Sequence, residues 1–322
     1  MKNLKIVSLF AGVGGLDLGF TTAEHPKLKC KIVCATDFDD KCKKTYDLNF
    51  VSPKLFVQDI LKVDIDKLPK FDILVGGFPC QPFSIAGYQK GFKDRASGGN
   101  LFFRIAEILE KRMPTAFLLE NVKNLESHDK KKTFSIIEKT LTDLGYHLKH
   151  EVLNSMTHGN VPQNRERIFI VGFLDKAKAE RFTFPEQIPL TRSFRDYVTE
   201  EAGDKYYYTK DKLIYDKLNS EINSEHTVYQ WRRTYVRVNK KGVVPTLTAN
   251  MGRGGHNVPL IKNSVGIRKL TPRECFSLQG FPDSPYYNLP EDLPDSELYH
   301  QAGNSVTVPV IKRIAEKMLG VL

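Results

Sequence analysis

Short apolar runs alternate with amphipathic stretches through the first half of the chain. KIVSLF (5–10), KIVCATD (31–37), FDILVGG (71–77), TAFLLEN (115–121) and RIFIVGF (167–173) are nearly continuous in hydrophobicity. That is the pattern of parallel strands buried on both faces. Between them, Asp39–Leu48, Leu101–Arg112 and Lys132–Leu144 read as helices. This βαβα rhythm predicts an α/β fold: a doubly wound, mostly parallel, Rossmann-like sheet with ligands at the carboxyl ends of its strands.

The rhythm stops near residue 188. Beyond it the chain is rich in Tyr, Lys, Asn and Gly, with short β-like pieces such as TYVRV (234–238) and a helical period only around Asp211–Leu218. An apolar helical period returns over Ser305–Leu319. The pattern predicts a catalytic domain over 1–188 completed by the C-terminal helix region 299–322. A smaller domain, mostly strand and loop with a hinge, is expected over 189–298.

Composition adds two constraints. Hydrophobic residues make up 41% and charged residues 27% of the 322 residues, which excludes a disordered or fibrous chain. Lys and Arg outnumber Asp and Glu by 48 to 38, a net charge of +10 that either favours a polyanion such as nucleic acid or serves solubility alone. The five cysteines, Cys30, Cys34, Cys42, Cys80 and Cys275, are odd in number and include no CxxC pair. Neither a disulfide framework nor a paired zinc site fits, and no metal is expected. The apolar run in MKNLKIVSLFAGVGG is too short for a signal peptide or a membrane span, so a reducing cytoplasm is the expected location.

Candidate chemistry lies at the strand ends. The first strand runs into FAGVGG (10–15), and the second ends at Asp37, where a carboxylate could accept bonds from both ribose hydroxyls. The glycine spacing is GxGG and not the GxGxxG that seats a pyrophosphate. It favours a cofactor without phosphate, such as S-adenosylmethionine, or else is a turn needed only for packing. After the strand at 71–77, GGFPCQPFS frames Cys80 between Pro79 and Pro82, whose fixed φ values aim the thiol. Cys80 is either a nucleophile or a small buried hydrophobe. The glycine-rich, basic stretch 85–100 that follows reads as a flap and argues against burial. Glu120, closing an apolar strand ahead of Asn121, calls for an ion pair or an acid–base role. Arg165 and Arg167 in QNRER (163–167) either grip a polar ligand or pair with Glu166 at the surface.

Together, FAGVGG (10–15), GFPCQPFS (77–84), ENV (120–122), QNRER (163–167), RKLTPRECFSLQGFP (268–282) and QAGNSVTVP (301–309) resemble the ordered motifs of the cytosine-5 DNA methyltransferases. The resemblance covers nearly the whole chain outside about 188–267. It implies an S-adenosylmethionine domain, a small target-recognition domain and double-stranded DNA as substrate. Cys80 matches the nucleophile that attacks carbon 6 of cytosine, making carbon 5 able to take a methyl group. Glu120 matches the residue that bonds the ring nitrogen and exocyclic amine, and Arg165 one that orients the base. Asn121 and Arg167 complete the expected catalytic set. Phe10, Gly12, Gly14, Gly15, Asp37 and Phe38 match cofactor positions, as do Asp59, Ile60, Pro79 and Leu101, and Asn304, Ser305 and Val306 near the end. Asp37 would take the ribose and Asp59 the adenine amine; Asp at 37 departs from the commoner Glu. A flipped-out base is expected, since a duplex buries carbon 6.

From His226 to Ile267 there are seven basic residues and no acidic ones, with Tyr229, Trp231 and Tyr235 interleaved. This is either a solvated strand face or a surface for phosphates and base edges. PTLTANMGRGG (245–255) resembles the family's Thr-Leu recognition element. Expected DNA contacts are Gln81, Ser84, Arg232, Arg233, Arg237, Thr246, Leu247 and Arg253. The other readings are the transfer-RNA branch of the same family, a catalytically dead DNA-binding protein and a nicotinamide dehydrogenase. The Thr-Leu element, the complete Cys80, Glu120 and Arg165 set, and the GxGG spacing respectively argue against them. A monomer in a bacterial cytoplasm, protecting DNA from a cognate restriction endonuclease, is the expected setting.

Overall fold

The computed structural model describes residues 1–79, 101–239, 242–253 and 258–322. In chain order its strands are β1 (Lys2–Leu9), β2 (Leu28–Asp37), β3 (Phe56–Val57), β4 (Ile73–Gly77), β5 (Ala116–Val122), β6 (His147–Asn154), β7 (Gln163–Asn164), β8 (Glu166–Phe173), β9 (Val228–Arg232), β10 (Tyr235–Asn239), β11 (Val244–Pro245), β12 (Leu260–Lys262) and β13 (Ile267–Lys269).

Seven of these form one sheet in the order β3-β2-β1-β4-β5-β8-β6. β1 pairs in parallel with both β2 and β4, so the winding reverses there, and a doubly wound sheet opens a crevice at such a switch point. Leu9 pairs with Gly76, which sets the glycine turn after β1 level with the chain leaving β4. β4 and β5 are buried along nearly their whole length, as the continuous apolar runs require. The helices Leu101–Arg112 and Lys132–Asp143 lay Phe102, Ile105, Ile108, Phe134, Ile137 and Leu141 against this sheet.

One expectation fails. RIFIVGF reads as a parallel strand, yet β8 runs antiparallel to β5, with Glu120 opposite Phe169. β6 carries too many exposed polar residues to announce itself as a strand. Only residues 155–165 separate it from β8, too few for the helical crossover that a parallel neighbour needs.

Beneath the glycine turn, the helix Gly15–Thr21 buries a carboxyl, that of Asp17, whose Oδ2 accepts a 2.6 Å bond from the Tyr46 hydroxyl. Burial outweighs this bond and the neighbouring Ser8 hydroxyl, pushing the Asp17 carboxyl from 3.8 up to about 6. The folded protein therefore holds this proton more tightly than the unfolded chain does. The resulting stability is complete below pH 3.8 and is lost as the pH rises through about 6. Asp17→Asn should abolish that slope, gaining up to about 3 kcal/mol on the wild-type protein between low and neutral pH. Urea melts at pH 4.5, 6 and 8 check this, and parallel curves for the two proteins would refute it.

The chain divides into two compact units: Met1–Leu153, Glu166–Glu186 and Val310–Leu322 in the first, Asn154–Arg165 and Gln187–Pro309 in the second. Residues 154–165 and 299–309 thus fall in the second unit, unlike the division read from hydrophobic pattern. Local bonds hold them there: β7 pairs with β11, and the Ser155 and Thr307 hydroxyls lie 2.7 Å apart.

The second unit carries a four-stranded sheet, β10-β9-β12-β13. Its core gathers Leu218, Ile222, Tyr229, Trp231, Val236, Leu260 and Ile267. Tyr229 and Trp231, which the sequence pattern sets among basic residues as a nucleic-acid surface, therefore belong to the interior; Tyr235 alone of the three is exposed. In TPRE, Thr271 and Glu274 form a capping box that starts the helix Pro272–Ser277. Glu274 also meets the fully buried Arg268 at 2.8 and 2.9 Å.

Candidate active site and nucleic-acid interface

In the first unit a cavity of about 350 Å³ opens beside β1 and β2. It is lined by Phe10, Thr36, Asp37, Phe38, Gln58, Asp59, Ile60, Leu61 and Leu101. Six of these are among the expected cofactor residues. Thr36, Gln58 and Leu61 are additions that carry no glycine or acidic signal. Asp37 accepts from the backbone N–H of Gly12 at 2.8 Å and of Asp39 at 3.0 Å. Burial raises its pKa above the ordinary carboxylate value, opposed by these two bonds. Asp59 caps a short turn through Leu61 N–H at 3.0 Å. The Phe38 ring is 76% exposed, an apolar face left open to whatever occupies the cavity.

Among the described residues the lining holds two carboxylates and no cation, which suits hydroxyl and amine donors and repels a phosphate. Phe10, Gly12 and Gly14 all have positive φ (53°, 53° and 83°). A Cβ on Gly12 would meet open space, whereas one on Gly14 would lie 2.3 Å from the Phe50 ring. Gly14 is thus fixed by packing, and Gly15 begins the helix behind it.

The exit of β4 is the second feature. Phe78 is buried and Pro79 exposed; Cys80, Gln81 and Ser84, with the flap expected at 85–100, lie outside the described residues. What precedes the thiol is firmly held, because Asn121 Nδ2 donates to the Phe78 carbonyl at 2.8 Å. Glu120 sits opposite Gly77 on the neighbouring strand, 8% exposed. Its Oε1 lies 3.0 Å from Nε of Arg167, two residues along β8 from its direct partner Phe169 and hence on the same face. A Cβ on Gly77 would stand 3.2 Å from Glu120 Oε2, so the glycine leaves that oxygen room. The surface pairing of Glu166 is taken by Lys123, at 2.9 Å.

Rival thiols are poorly suited to nucleophilic work. Burial pushes Cys30 up to about 11 and raises Cys34 and Cys275 as well. Among the described residues no His, Cys, Asp and Glu cluster could hold a metal ion, and no helix is long and apolar enough to cross a membrane.

Arg165 belongs to the second unit and is 3% exposed. Its guanidinium donates to the carbonyls of Leu247 at 2.7 Å, Gly303 at 3.2 Å and Ser305. Arg167 pairs with Glu120. Gln163, which the motif contains but residue chemistry did not single out, is fully buried: it donates to the Leu278 carbonyl at 2.8 Å and accepts from Leu247 N–H at 3.0 Å. Leu247 is itself fully buried, so the Thr-Leu element turns one residue inward, while Thr246 Oγ1 donates to the Asn164 carbonyl at 2.6 Å. Gly303 lets its helix touch Thr248; a Cβ would come within 2.1 Å of that backbone. Asn304 is exposed beside His300, with Ser305 and Val306 buried next to it. Arg232, Arg233 and Arg237 are exposed on or between β9 and β10. Arg253, also exposed, stands 3.7 Å from Glu297.

A doubly wound sheet with a cavity beside β1 and β2, lined among the described residues by apolar side chains and two carboxylates, is the arrangement of an α/β ligand-binding enzyme. A model of the C-5 cytosine-specific DNA methylase family matches residues 4–320. The Type II methyltransferase M.Bsp6I of Bacillus sp. (strain RFL6) is 50% identical over 318 residues, 98% of each chain. The Type II methyltransferase M.HaeII of Haemophilus aegyptius is 40% identical over 325 residues, 100% of this chain and 95% of the relative. Among solved structures, that of S. pombe Dnmt2 methyltransferase has the same fold, with a TM-score of 0.73 and 19% identity over 99% of each chain. The chain belongs to the C-5 cytosine-specific DNA methylase family and is a DNA cytosine-5-methyltransferase.

Proposed function

We propose that this enzyme is the sequence-specific, type II methyltransferase of a restriction-modification system, acting on a cytosine flipped out of duplex DNA through a transient Cys80 adduct. The observation that carries the chemistry is the pairing of Glu120 with Arg167 next to the Asn121-braced exit of β4. A buried carboxylate costs several kcal/mol unless compensated, and here the Arg167 guanidinium stands 3.0 Å from Oε1 while Gly77 spares Oε2 a close Cβ.

The Cys80 sulfur bonds to carbon 6 while Glu120 holds the ring nitrogen and exocyclic amine, drawing off the charge that the attack creates. Carbon 5 becomes nucleophilic and takes the methyl group. The carbon 5 proton then passes to water, its electron pair re-forms the 5,6 double bond, and the carbon 6–sulfur bond breaks to release the Cys80 thiolate and the aromatic ring. Arg167 orients Glu120 in this scheme, and Arg165 positions the loop that carries Leu247. The mixed apolar and acidic lining of the cavity beside β1 and β2 fits S-adenosylmethionine, which supplies the electrophilic methyl group when bound. Asp37 would take its ribose, Asp59 the adenine amine, and Phe38, Ile60 and Leu101 the ring faces.

Asp37→Asn should weaken S-adenosylmethionine binding by about 10- to 100-fold in calorimetry, the loss of charge-assisted bonds to ribose hydroxyls. Unchanged affinity would remove Asp37 from the cofactor site. The functional reading itself is tested by offering labelled methyl donor with duplex DNA and with transfer RNA. Incorporation at one defined DNA sequence is expected, and incorporation only into transfer RNA would overturn the assignment.

A further inference from the structure

The hairpin of β9 and β10 has two unlike faces. Register places Gln230 opposite Arg237, Arg232 opposite Tyr235 and Val228 opposite Asn239, so these six side chains share one face. The other face turns Tyr229, Trp231 and Val236 into the core of the unit. The polar face borders a cavity of about 790 Å³, lined also by Asn164, Thr246, Thr248 and Asn250.

Two amides on this face are anomalous. Gln230 is only 5% exposed, yet its Oε1 is buried with no hydrogen-bond partner among the described residues, and the same holds for Asn239 Nδ2. An unsatisfied buried amide is destabilising and persists where a ligand completes it. Here the ligand must offer a donor to Gln230 and an acceptor to Asn239, beside two exposed arginines. A phosphate offers no donor. The edge of a base pair in the major groove offers both, and the major groove admits a two-stranded ribbon.

We propose that Gln230 and Asn239 are base-reading residues of the recognition hairpin, Gln230 Oε1 accepting from the exocyclic amine of a cytosine or adenine other than the target base. Arg237, directly across from Gln230, bonds the acceptors of the same or the adjacent pair. This rests on the reading of the enzyme as a sequence-specific DNA methyltransferase and assigns part of its specificity to residues that carry no charge.

The test is methyl transfer by the full-length enzyme to duplexes randomised around one cytosine, read by sequencing the methylated products. Gln230→Leu removes the acceptor at nearly constant volume. It should still methylate, with discrimination at one base pair falling about 10- to 100-fold, the worth of one good base contact, and other positions unchanged. Gln230→Glu keeps an acceptor and should keep that preference. In the cognate site, replacing the non-target cytosine or adenine at that pair by an analogue lacking the amine should impair the wild-type enzyme and leave Gln230→Leu unaffected; whichever analogue acts identifies the base. An unchanged Gln230→Leu profile, or a loss spread evenly over all positions, overturns the inference. If the wild-type enzyme methylates no duplex at all, it is the functional reading that fails.

Discussion

Cys80→Ala is expected to abolish methyl transfer, lowering turnover by at least about 10⁴-fold, while the protein still binds duplex DNA. In this scheme electron density reaches carbon 5 through the sulfur, and the thiols of the half-buried Cys30 and Cys34 and the buried Cys275 have their pKa values raised by burial. Duplex DNA carrying 5-fluorocytosine at the target supplies a direct readout. Fluorine cannot leave as the proton does, so the wild-type protein should become covalently attached through Cys80, and Cys80→Ala should form no such complex. Attachment through another residue, or undiminished methylation by the variant, would remove Cys80 from the mechanism. The neighbouring backbone gives the substitution a clean context, since Asn121 holds the Phe78 carbonyl whatever side chain follows Pro79.

Glu120→Gln should lower kcat by about 10²–10⁴-fold, the usual worth of a group that holds or moves a proton in the transition state. The amide preserves shape but gives up the ion pair with Arg167 at 3.0 Å. Arg167→Ala should therefore lower kcat as well, and the double variant should lose less than the sum of the two because they share one interaction. Single-turnover kinetics separates this from weaker binding. A loss below about tenfold with an unchanged melting temperature would show that Glu120 serves packing alone.

Much of this arrangement was legible beforehand, because strands buried on both faces read as unbroken apolar runs. β4 and β5 sit where FDILVGG and TAFLLEN placed them, and the helix Leu101–Arg112 has the predicted limits. The cavity likewise gathers Phe10, Asp37, Phe38, Asp59, Ile60 and Leu101. Strand direction was not legible, since RIFIVGF carries the same hydrophobicity whichever way it runs; the short return after β6 decides it. The pairing of Glu120 with Arg167 was also hidden. Arg165 and Arg167 look equivalent in QNRER, but residues two apart on an extended chain share a face only while the strand continues. β8 begins between them, at Glu166, leaving Arg167 in the sheet and Arg165 in the other unit. Tyr229 and Trp231 show the same ambiguity: alternation with arginines marks a hairpin face without saying which side meets solvent.

The polypeptide passes from one compact unit to the other four times, after residues 153, 165, 186 and 309. A hybrid enzyme made by grafting residues 187–309 from a relative would leave Gln163 and Arg165 of the host facing foreign carbonyls in place of Leu247, Leu278 and Gly303. Successful transplants must therefore carry the twelve residues 154–165 as cargo. New sequence preference should reach this scaffold more readily through exchanges confined to the β9–β10 ribbon, which leave that seam intact.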